Sequence, residues 1–451
     1  MIKTKKIYDL IVIGAGAGGL TVAIGGAKSG ANVLLIEKEN KLGGDCTHYG
    51  CIPSKTFITL SKQFKNSKDI ADTFKKVKSN VKKIEKKSES FEYVISLGIN
   101  LIIGTAVLFD ENTIKINNKK FYGKNIVIAT GANALIPKIK GLNKIKYLTN
   151  KSIFKIKEMK SLAIIGAGPI GCELGQAFNR IGINVTIINQ EKNILPQEDI
   201  EATKIIQKQL RDEGINISNN VKIVEITKKN NKKIIMLNTK KIVCDEVLIA
   251  TGRRPDLEEL KLEKIGIKHN KEGIKINSKC QTNIKNIYAI GDCTKGPKFT
   301  HLANYQGKIT LANTLFKYSK RYSTKTLPRV TFTDPPIASV GKLKGFELKK
   351  EYKNIDKAIT DFQEDGFIKI FVKNSGYING AVIVGQGAEE MISQITLAMK
   401  NDLKITDISD TIYPYPTYSY GLRECADLFT ILKYTPMKKK WAQKIFGFGK
   451  K

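Results

Sequence analysis

Short apolar runs, each closed by a glycine-containing turn, recur along this chain. Residues 8–13 are one such run, followed at once by Gly14, Gly16, Gly18 and Gly19. Leu20, Ala23 and Ala27 then step at helical spacing as far as Gly30, and residues 32–36 form a second run that ends at Glu37. Unbroken apolar runs of this length predict strands buried on both faces, and the order strand, helix, strand predicts a parallel sheet. The same order restarts at residue 162. Residues 162–165 lead into Gly166, Gly168 and Gly171, then a helix carrying Cys172, Glu173, Leu174 and Phe178, then a strand over 184–188. Further runs end in Ala129-Thr130-Gly131, in Ala250-Thr251-Gly252 and in Gly291-Asp292.

Other stretches carry other periods. Ile70, Phe74, Val77, Val81 and Ile84 step by four and three residues among lysines, which predicts a surface helix with a narrow apolar seam. Residues 99–129 alternate and predict antiparallel strands, while 137–160 read as a connection. The character changes at Pro328, where strands and helices of a separate region begin and continue to about residue 430. Beyond Pro436 the chain is lysine-rich, with Met437, Trp441 and Ile445 on one helical stripe beside Phe446 and Phe448.

The glycines give the strand–helix turns a chemistry. In G-x-G-x-x-G after a strand, the backbone can approach a pyrophosphate, and the helix N-terminus offers it unpaired N–H groups. Gly14, Gly16 and Gly19 fit that pattern, with Glu37 placed to accept from an adenosine ribose. Gly166, Gly168 and Gly171 repeat it, so two dinucleotides are expected. At the second site Asn189 and Gln190 stand where the ribose-binding acid belongs, and Lys192 lies nearby. Loss of the acid removes the repulsion of a 2′-phosphate and favours NADPH over NADH.

Between the fingerprints lies Gly43-Gly44-Asp45-Cys46-Thr47-His48-Tyr49-Gly50-Cys51-Ile52-Pro53-Ser54-Lys55. Two sulfurs at i and i+5 meet only where the backbone departs from a regular helix, and Gly50 and Pro53 permit that departure. A helix N-terminus beside Cys51 would favour its thiolate.

This stretch resembles the G-G-x-C-x-x-x-G-C-x-P-S-K signature of the flavin-dependent pyridine nucleotide–disulfide oxidoreductases, the family of dihydrolipoamide dehydrogenase, glutathione reductase and mercuric reductase. The resemblance runs from about residue 7 to about 430. It implies an α/β fold with two Rossmann-like domains and a C-terminal α+β dimerisation domain. The implied bounds are 1–150 and 273–325 for a discontinuous FAD domain and 151–272 for an inserted NAD(P) domain. An interface domain over 326–435 and a basic tail over 436–451 follow.

By the same resemblance Cys51 is the thiolate facing the flavin, Cys46 the interchange thiol, and Lys55 pairs with Glu173 near the flavin ring and the nicotinamide. Gly44, Thr130, Gly131, Gly252, Gly291, Asp292 (on the ribityl chain) and Ala303 complete the expected cofactor contacts. A homodimer using NAD(P)H and a small electron acceptor is implied.

Composition changes this picture in three places. A formal net charge of +34 would attract anionic cofactors and membranes, and nucleic acid without specificity; no nucleic-acid motif accompanies it. Seven cysteines without framework spacing argue against a disulfide-stapled secreted protein and for the cytoplasm. Cys172, Cys244 and Cys280 sit in apolar patterns as inert thiols, and no cysteine–histidine cluster has metal-site spacing. No apolar run approaches the roughly 20 residues that span a bilayer. The amphipathic basic tail is instead compatible with an anionic membrane surface.

One motif departs from the family. Disulfide-reducing members carry a C-terminal H-P-T-x-x-E whose histidine serves the partner subunit as acid–base group; here Tyr415 and Tyr420 replace the histidine and glutamate. A phenol with a pKa of about 10 does not replace a histidine poised near neutrality. Mercuric reductase also carries tyrosine at that position, although residues 446–451 hold no cysteine pair of the mercuric-reductase kind and no N-terminal metal-binding domain is expected. The expected enzyme is therefore mercuric-reductase-like. The alternatives are a dihydrolipoamide dehydrogenase with a non-standard base, such as His48 or His301, and a membrane-surface redox sensor or scaffold.

Overall fold

The computed structural model describes residues 6–63, 70–433 and 435–447. By contact density the chain forms two units: residues 1–166, 180–185 and 222–323 make one, and residues 167–179, 186–221 and 324–451 the other.

The first unit is built on a seven-stranded sheet. Ile7–Ile13 pairs parallel with Val33–Glu37 on one side and with Lys119–Ile128 on the other, and Ile287–Ala289 adds parallel to Lys119–Ile128. The register sets Leu10 against Val33 and Ile11 against Ile126. Successive residues of the first strand point to opposite faces. Leu10 and Val12 join one apolar core with Leu20 and Val33; Ile11 and Ile13 join another with Leu34, Ile126 and Leu262. Both faces are covered, and the run therefore shows no polar alternation. Antiparallel pairing was expected across residues 99–129 and holds only in part. Ala106–Leu108, Thr113–Ile116 and Lys119–Ile128 are antiparallel, but Asn100–Ile103 lies parallel to Val33–Glu37. Its short apolar stretch carries no signal of direction.

Helix Cys51–Gln63 is fixed to helix Ile70–Ser88 by aromatic packing. Phe57 meets Phe74 edge-on at 5.4 Å and Phe154 at 6.1 Å, and Phe74 meets Phe154 at 5.4 Å. Each such pair contributes about 0.5–1.5 kcal/mol beyond its buried area. Ile70, Phe74 and Val77 are buried as the seam predicts, while Val81 and Ile84 are half-buried.

The second unit centres on a five-stranded antiparallel sheet, ordered Arg329–Thr331, Ile337–Gly341, Ile378–Val384, Phe367–Val372, Phe346–Glu351. Helices Ala388–Lys400 and Tyr418–Lys433 close its core around Ile368, Ile370, Leu422, Cys425 and Phe429. A further helix, Thr435–Phe446, exposes Trp441, Ile445 and Phe446. Phe448, named in the tail stripe, lies outside the described residues. Among the described residues no helix is long and apolar enough to cross a membrane.

Candidate active site

The cysteine segment bends where its glycines stand. Gly43 and Gly44 have φ of +99° and +61°. A Cβ on Gly44 would come within 2.8 Å of the Gly16 Cα, and one on Gly43 within 2.3 Å of Glu89 Oε2. Gly43 N–H donates to Ala15 O at 2.8 Å, which ties this turn to the first glycine fingerprint. Cys46 rides on the short helix Gly44–His48. The chain then folds back at Gly50, where a Cβ would lie 2.9 Å from Asp45 O and 3.3 Å from Cys46 Cα. Cys51 opens the next helix, and Pro53 sits in its first turn, where no backbone donor is needed. The break predicted from the i, i+5 spacing is therefore a helix interrupted at one glycine.

Both cysteines carry free thiols here. The Cys46 thiol donates to the Cys51 sulfur, and this bond, followed by burial and charge at Cys51, pushes the Cys46 thiol well above its ordinary value. That is the charge arrangement of a thiol donating to a thiolate. The Thr300 hydroxyl lies 3.4 Å from Cys51 Sγ and donates when that sulfur is ionised. Thr300 opens helix Thr300–Leu315, so two helix N-termini, its own and that of Cys51, face the sulfur pair. Negative charge is stabilised at such ends.

Arg253, from the second Ala-Thr-Gly turn, links distant acids. Its Nη2 contacts Asp45 Oδ2 at 2.5 Å and the Ala132 carbonyl, and its Nε lies 3.3 Å from Asp292 Oδ2. Asn150 also donates to Asp45, at 3.1 Å. Burial pushes the Asp292 carboxyl up, against the pull of Arg253 and Lys298.

A cleft open to solvent runs past these groups. Gly14, Gly16, Glu37, Gly44, Cys46, Thr130, Gly131, Gly291, Asp292, Thr300 and Ala303 line it. Its glycines do two jobs. Gly14 (φ +101°) could carry no side chain, since a Cβ would meet Ala129 O at 2.4 Å, and one on Gly19 would meet Gly14 O at 1.8 Å. Gly16 and Gly131 leave the wall open instead, with nothing nearer than 4.0 Å to a Cβ at Gly16 and nothing within 4 Å at Gly131. An open glycine wall at the start of helix Ala17–Lys28 is where a pyrophosphate fits. Glu37 Oε2 accepts from Ala15 N at 2.7 Å and Oε1 from Lys38 N at 2.7 Å; a carboxylate keeps acceptor capacity for a ribose beyond these bonds. The residues present fit a dinucleotide such as FAD.

The second fingerprint repeats the geometry of the first. A Cβ on Gly166 (φ +111°) would meet Ala250 O at 2.4 Å, while Gly168 and Gly252 are open. Gly171 is buried in helix Pro169–Arg180, and Glu173 on that helix is buried, its Oε1 accepting from Phe332 N at 2.8 Å. Asn189 turns away from a ligand role. Its amide donates to Glu191 O, Asn193 O and Asn219 Oδ1 at 2.9–3.0 Å, holding its own loop. Lys55 lies one turn beyond Cys51 and is half-buried.

The tyrosines are placed differently. Tyr415 is 64% exposed and its hydroxyl donates to Asp356 at 2.7 Å; Tyr420 packs edge-on at 5.3 Å and accepts from Arg423 at 2.7 Å. The Asp356 carboxylate pushes the Tyr415 phenol up, away from neutrality. His48 Nε2 meets the Leu42 carbonyl at 2.5 Å and so carries the proton; His301 is exposed and stacked on Phe299. Cys172, Cys244, Cys280, Cys293 and Cys425 are buried, with burial raising each thiol, Cys244 and Cys293 to about 11.

Sequence reasoning passed over Thr300, Asp45 and Arg253. Arg253 carried one usable signal, a cation directly after an Ala-Thr-Gly turn. Asp45 stood unremarked inside the cysteine motif, and Thr300 has no local pattern.

Fold and site define a nucleotide-dependent thiol–disulfide enzyme, and comparison with known proteins agrees. Residues 8–307 match the model of the pyridine nucleotide-disulphide oxidoreductases, and residues 327–426 match the dimerisation domain of the same family. A mercuric reductase of Staphylococcus aureus is 33% identical over 94% of this chain and 82% of its own length. A dihydrolipoyl dehydrogenase of Geobacillus stearothermophilus is 33% identical over 93% and 96%. Among solved structures, the Cu(II) complex of the HOCl-induced flavoprotein disulfide reductase RclA of Escherichia coli superposes with a TM-score of 0.88 at 27% identity, covering 94% of this chain and 99% of that one. The chain belongs to the pyridine nucleotide-disulphide oxidoreductase family and is an FAD-dependent oxidoreductase with a pyridine nucleotide substrate.

Proposed function

We propose that this enzyme takes electrons from NAD(P)H, passes them to the Cys46–Cys51 pair and delivers them to a small acceptor. The observation that carries the reading is the Cys46 thiol donating to a Cys51 sulfur that faces two helix N-termini and the Thr300 hydroxyl. Bound in the glycine-walled cleft, FAD supplies the two-electron relay between nicotinamide and sulfur.

The chain's own residues do the rest. Gly14, Gly16 and Gly19 shape the pyrophosphate wall, with Thr130, Gly131 and Gly291 lining the cleft beside Gly44. Glu37 binds the ribose, Asp292 binds the ribityl chain, and Ala303 belongs to the helix beneath the flavin. Cys51 is the thiolate against the flavin, Cys46 attacks the acceptor, and Lys55 and Glu173 steady the charge. Gly166, Gly168, Gly171 and Gly252 hold the nicotinamide dinucleotide. Asn189, spent on its own loop, leaves no acid to repel a 2′-phosphate, which supports NADPH. The domain bounds follow the family plan: 1–150 with 273–325 for FAD, 151–272 for NAD(P), and 326–435 for a homodimer interface.

The acceptor is chosen by experiment. The mercuric reductase relative and the copper-bound RclA neighbour favour a metal ion such as Hg(II) or Cu(II) as acceptor, while the dihydrolipoyl dehydrogenase relative favours the reverse flow, from a dithiol to NAD(P)+. Steady-state turnover is to be measured for NADH and NADPH against Hg(II), Cu(II), disulfides, quinones and oxygen, and for NAD+ and NADP+ against dihydrolipoamide. Robust turnover of dihydrolipoamide alone would overturn the metal reading. Flavin that stays oxidised under anaerobic NADPH and NADH would overturn the whole scheme.

A second surface concerns location. Trp441 (70% exposed) and Phe446 (69%) stand on a helix with Lys439, Lys440 and Lys444, which suits an anionic bilayer face around an otherwise cytoplasmic enzyme. Sedimentation with anionic liposomes should weaken when the chain is cut after Lys433. Equal sedimentation of both forms would dismiss this surface.

A further inference from the structure

The chain as a whole is strongly cationic, at +34, but the wall of the glycine-lined cleft is not. Among the described residues that line it, Glu37, Glu39, Asp45, Asp256, Glu259 and Asp292 set six carboxylates against four cations. A flavin dinucleotide brings a doubly negative pyrophosphate to that wall, and unpaired carboxylates there oppose its binding. Lys38 meets Glu259 at 3.2 Å and Lys151 meets Glu39 at 3.0 Å, while Lys41 lies 4.3 Å above the Tyr49 ring. Arg253, the fourth cation, stands against two carboxylates. Its place is fixed by the backbone. Arg253–Arg254 pairs antiparallel with Asn133–Ala134, and Leu135 N–H donates to the Gly252 carbonyl at 2.9 Å. The Thr251 hydroxyl donates to the Leu135 carbonyl at 2.7 Å, so this ribbon joins the two Ala-Thr-Gly turns. From it Arg253 Nη2 reaches Asp45 at 2.5 Å and Nε comes within 3.3 Å of Asp292. The three side chains are only 18–23% exposed, so water screens these pairs weakly. Nε is buried and makes no hydrogen bond among the described residues, so charge rather than an aligned bond joins it to Asp292. Lys298 also acts on Asp292, but its ammonium donates to the Glu272 carbonyl at 3.2 Å and to the Thr294 carbonyl. The other partner of Asp45, Asn150, is neutral.

We infer that Arg253 lets the sulfur end of this cleft accept the flavin dinucleotide by neutralising Asp45 and Asp292 together, a role that rests on the function proposed above. Without the guanidinium, two largely buried carboxylates would face an incoming dianion. Like charges repel far more strongly in such surroundings than in water. An arginine suits the task because its planar fork presents donors to two acids at once, whereas a lysine offers one point of charge. Asp45 immediately precedes Cys46, so the same contacts anchor the sulfur-bearing helix Gly44–His48 to the Asp292 side of the cleft. Arg253 acts on the cofactor through these two carboxylates and is a positioning residue.

The test reads flavin retention rather than turnover. Purified holoenzyme is equilibrated at several dilutions, and free FAD is separated by ultrafiltration to give its dissociation constant. Arg253→Gln should weaken FAD binding by about tenfold or more. Arg253→Lys should recover part of that loss. Adding Asp45→Asn to Arg253→Gln should recover part of it as well, because the carboxylate left unpaired is gone. Asp45→Asn alone should hold FAD as tightly as wild type or more tightly. Wild-type affinity in Arg253→Gln would overturn the inference. So would a double variant that binds no tighter than Arg253→Gln, since an arginine that merely holds the fold together is not replaced by deleting its partner's charge. If Arg253→Gln does not fold, Asp45→Asn decides, and FAD bound more weakly than in wild type overturns the inference. Wild type that takes up no FAD would overturn the function proposed above and this role with it.

Discussion

The cysteine segment and the tyrosine segment occupy family positions that should cooperate in one reaction, and they are built on opposite principles. Around Cys46 and Cys51 the chain converges two helix N-termini, a threonine hydroxyl and two obligatory glycines on half-buried sulfurs. Around Tyr415 the chain leaves the phenol on its own surface, with its proton donated to the Asp356 carboxylate. Stabilising a charge takes enclosure and oriented donors, because water screens whatever is left outside. The cysteine segment has both; the tyrosine segment has neither.

Substitutions should separate the two regions by size of effect. Cys51→Ser should be the most severe, abolishing the long-wavelength thiolate-to-flavin absorption during anaerobic NADPH titration and lowering disulfide turnover by about a thousandfold or more. A persisting band would move the flavin-facing role to Cys46. Gly50→Ala places a methyl group 2.9 Å from Asp45 O and should destabilise the fold by about 1–3 kcal/mol, read as a lower denaturation midpoint with slowed re-formation of the disulfide. An unchanged midpoint would show that the fold-back does not need glycine.

Thr300→Val removes a donor to the Cys51 thiolate. The anion loses about 1–2 kcal/mol, so the long-wavelength band should titrate about one pH unit higher than in wild type. The sign matters: a thiolate that loses its donor holds its proton to higher pH, so a shift downward would contradict the geometry. Tyr415→Phe should change turnover by less than about threefold, since its proton is directed at Asp356. A large loss there would erase the contrast and return the tyrosine to the chemistry.

Much of this is legible in the sequence. Gly14 and Gly166 were marked by position, and each proves intolerant of a Cβ for the same reason, a carbonyl 2.4 Å away. The i, i+5 spacing of the sulfurs demanded a broken helix, and Gly50 breaks it. The parallel placement of Asn100–Ile103 was misjudged because short apolar strands look alike in either direction. Thr300, which meets a sulfur 249 residues away, carries no mark in its neighbours, and the signal at Arg253, a cation after an Ala-Thr-Gly turn, does not name its partner Asp45, 208 residues away.

The sequence alone determined two dinucleotide sites, a paired-cysteine centre and the loss of the usual acid–base histidine. These rest on backbone conformation and residue chemistry, which act over a few neighbouring positions. Tertiary structure alone decided which hydroxyl stands beside the Cys51 sulfur and which arginine bridges the acids. Electrostatic energy depends on burial and distance in space, and neither is a property of a residue's place along the chain.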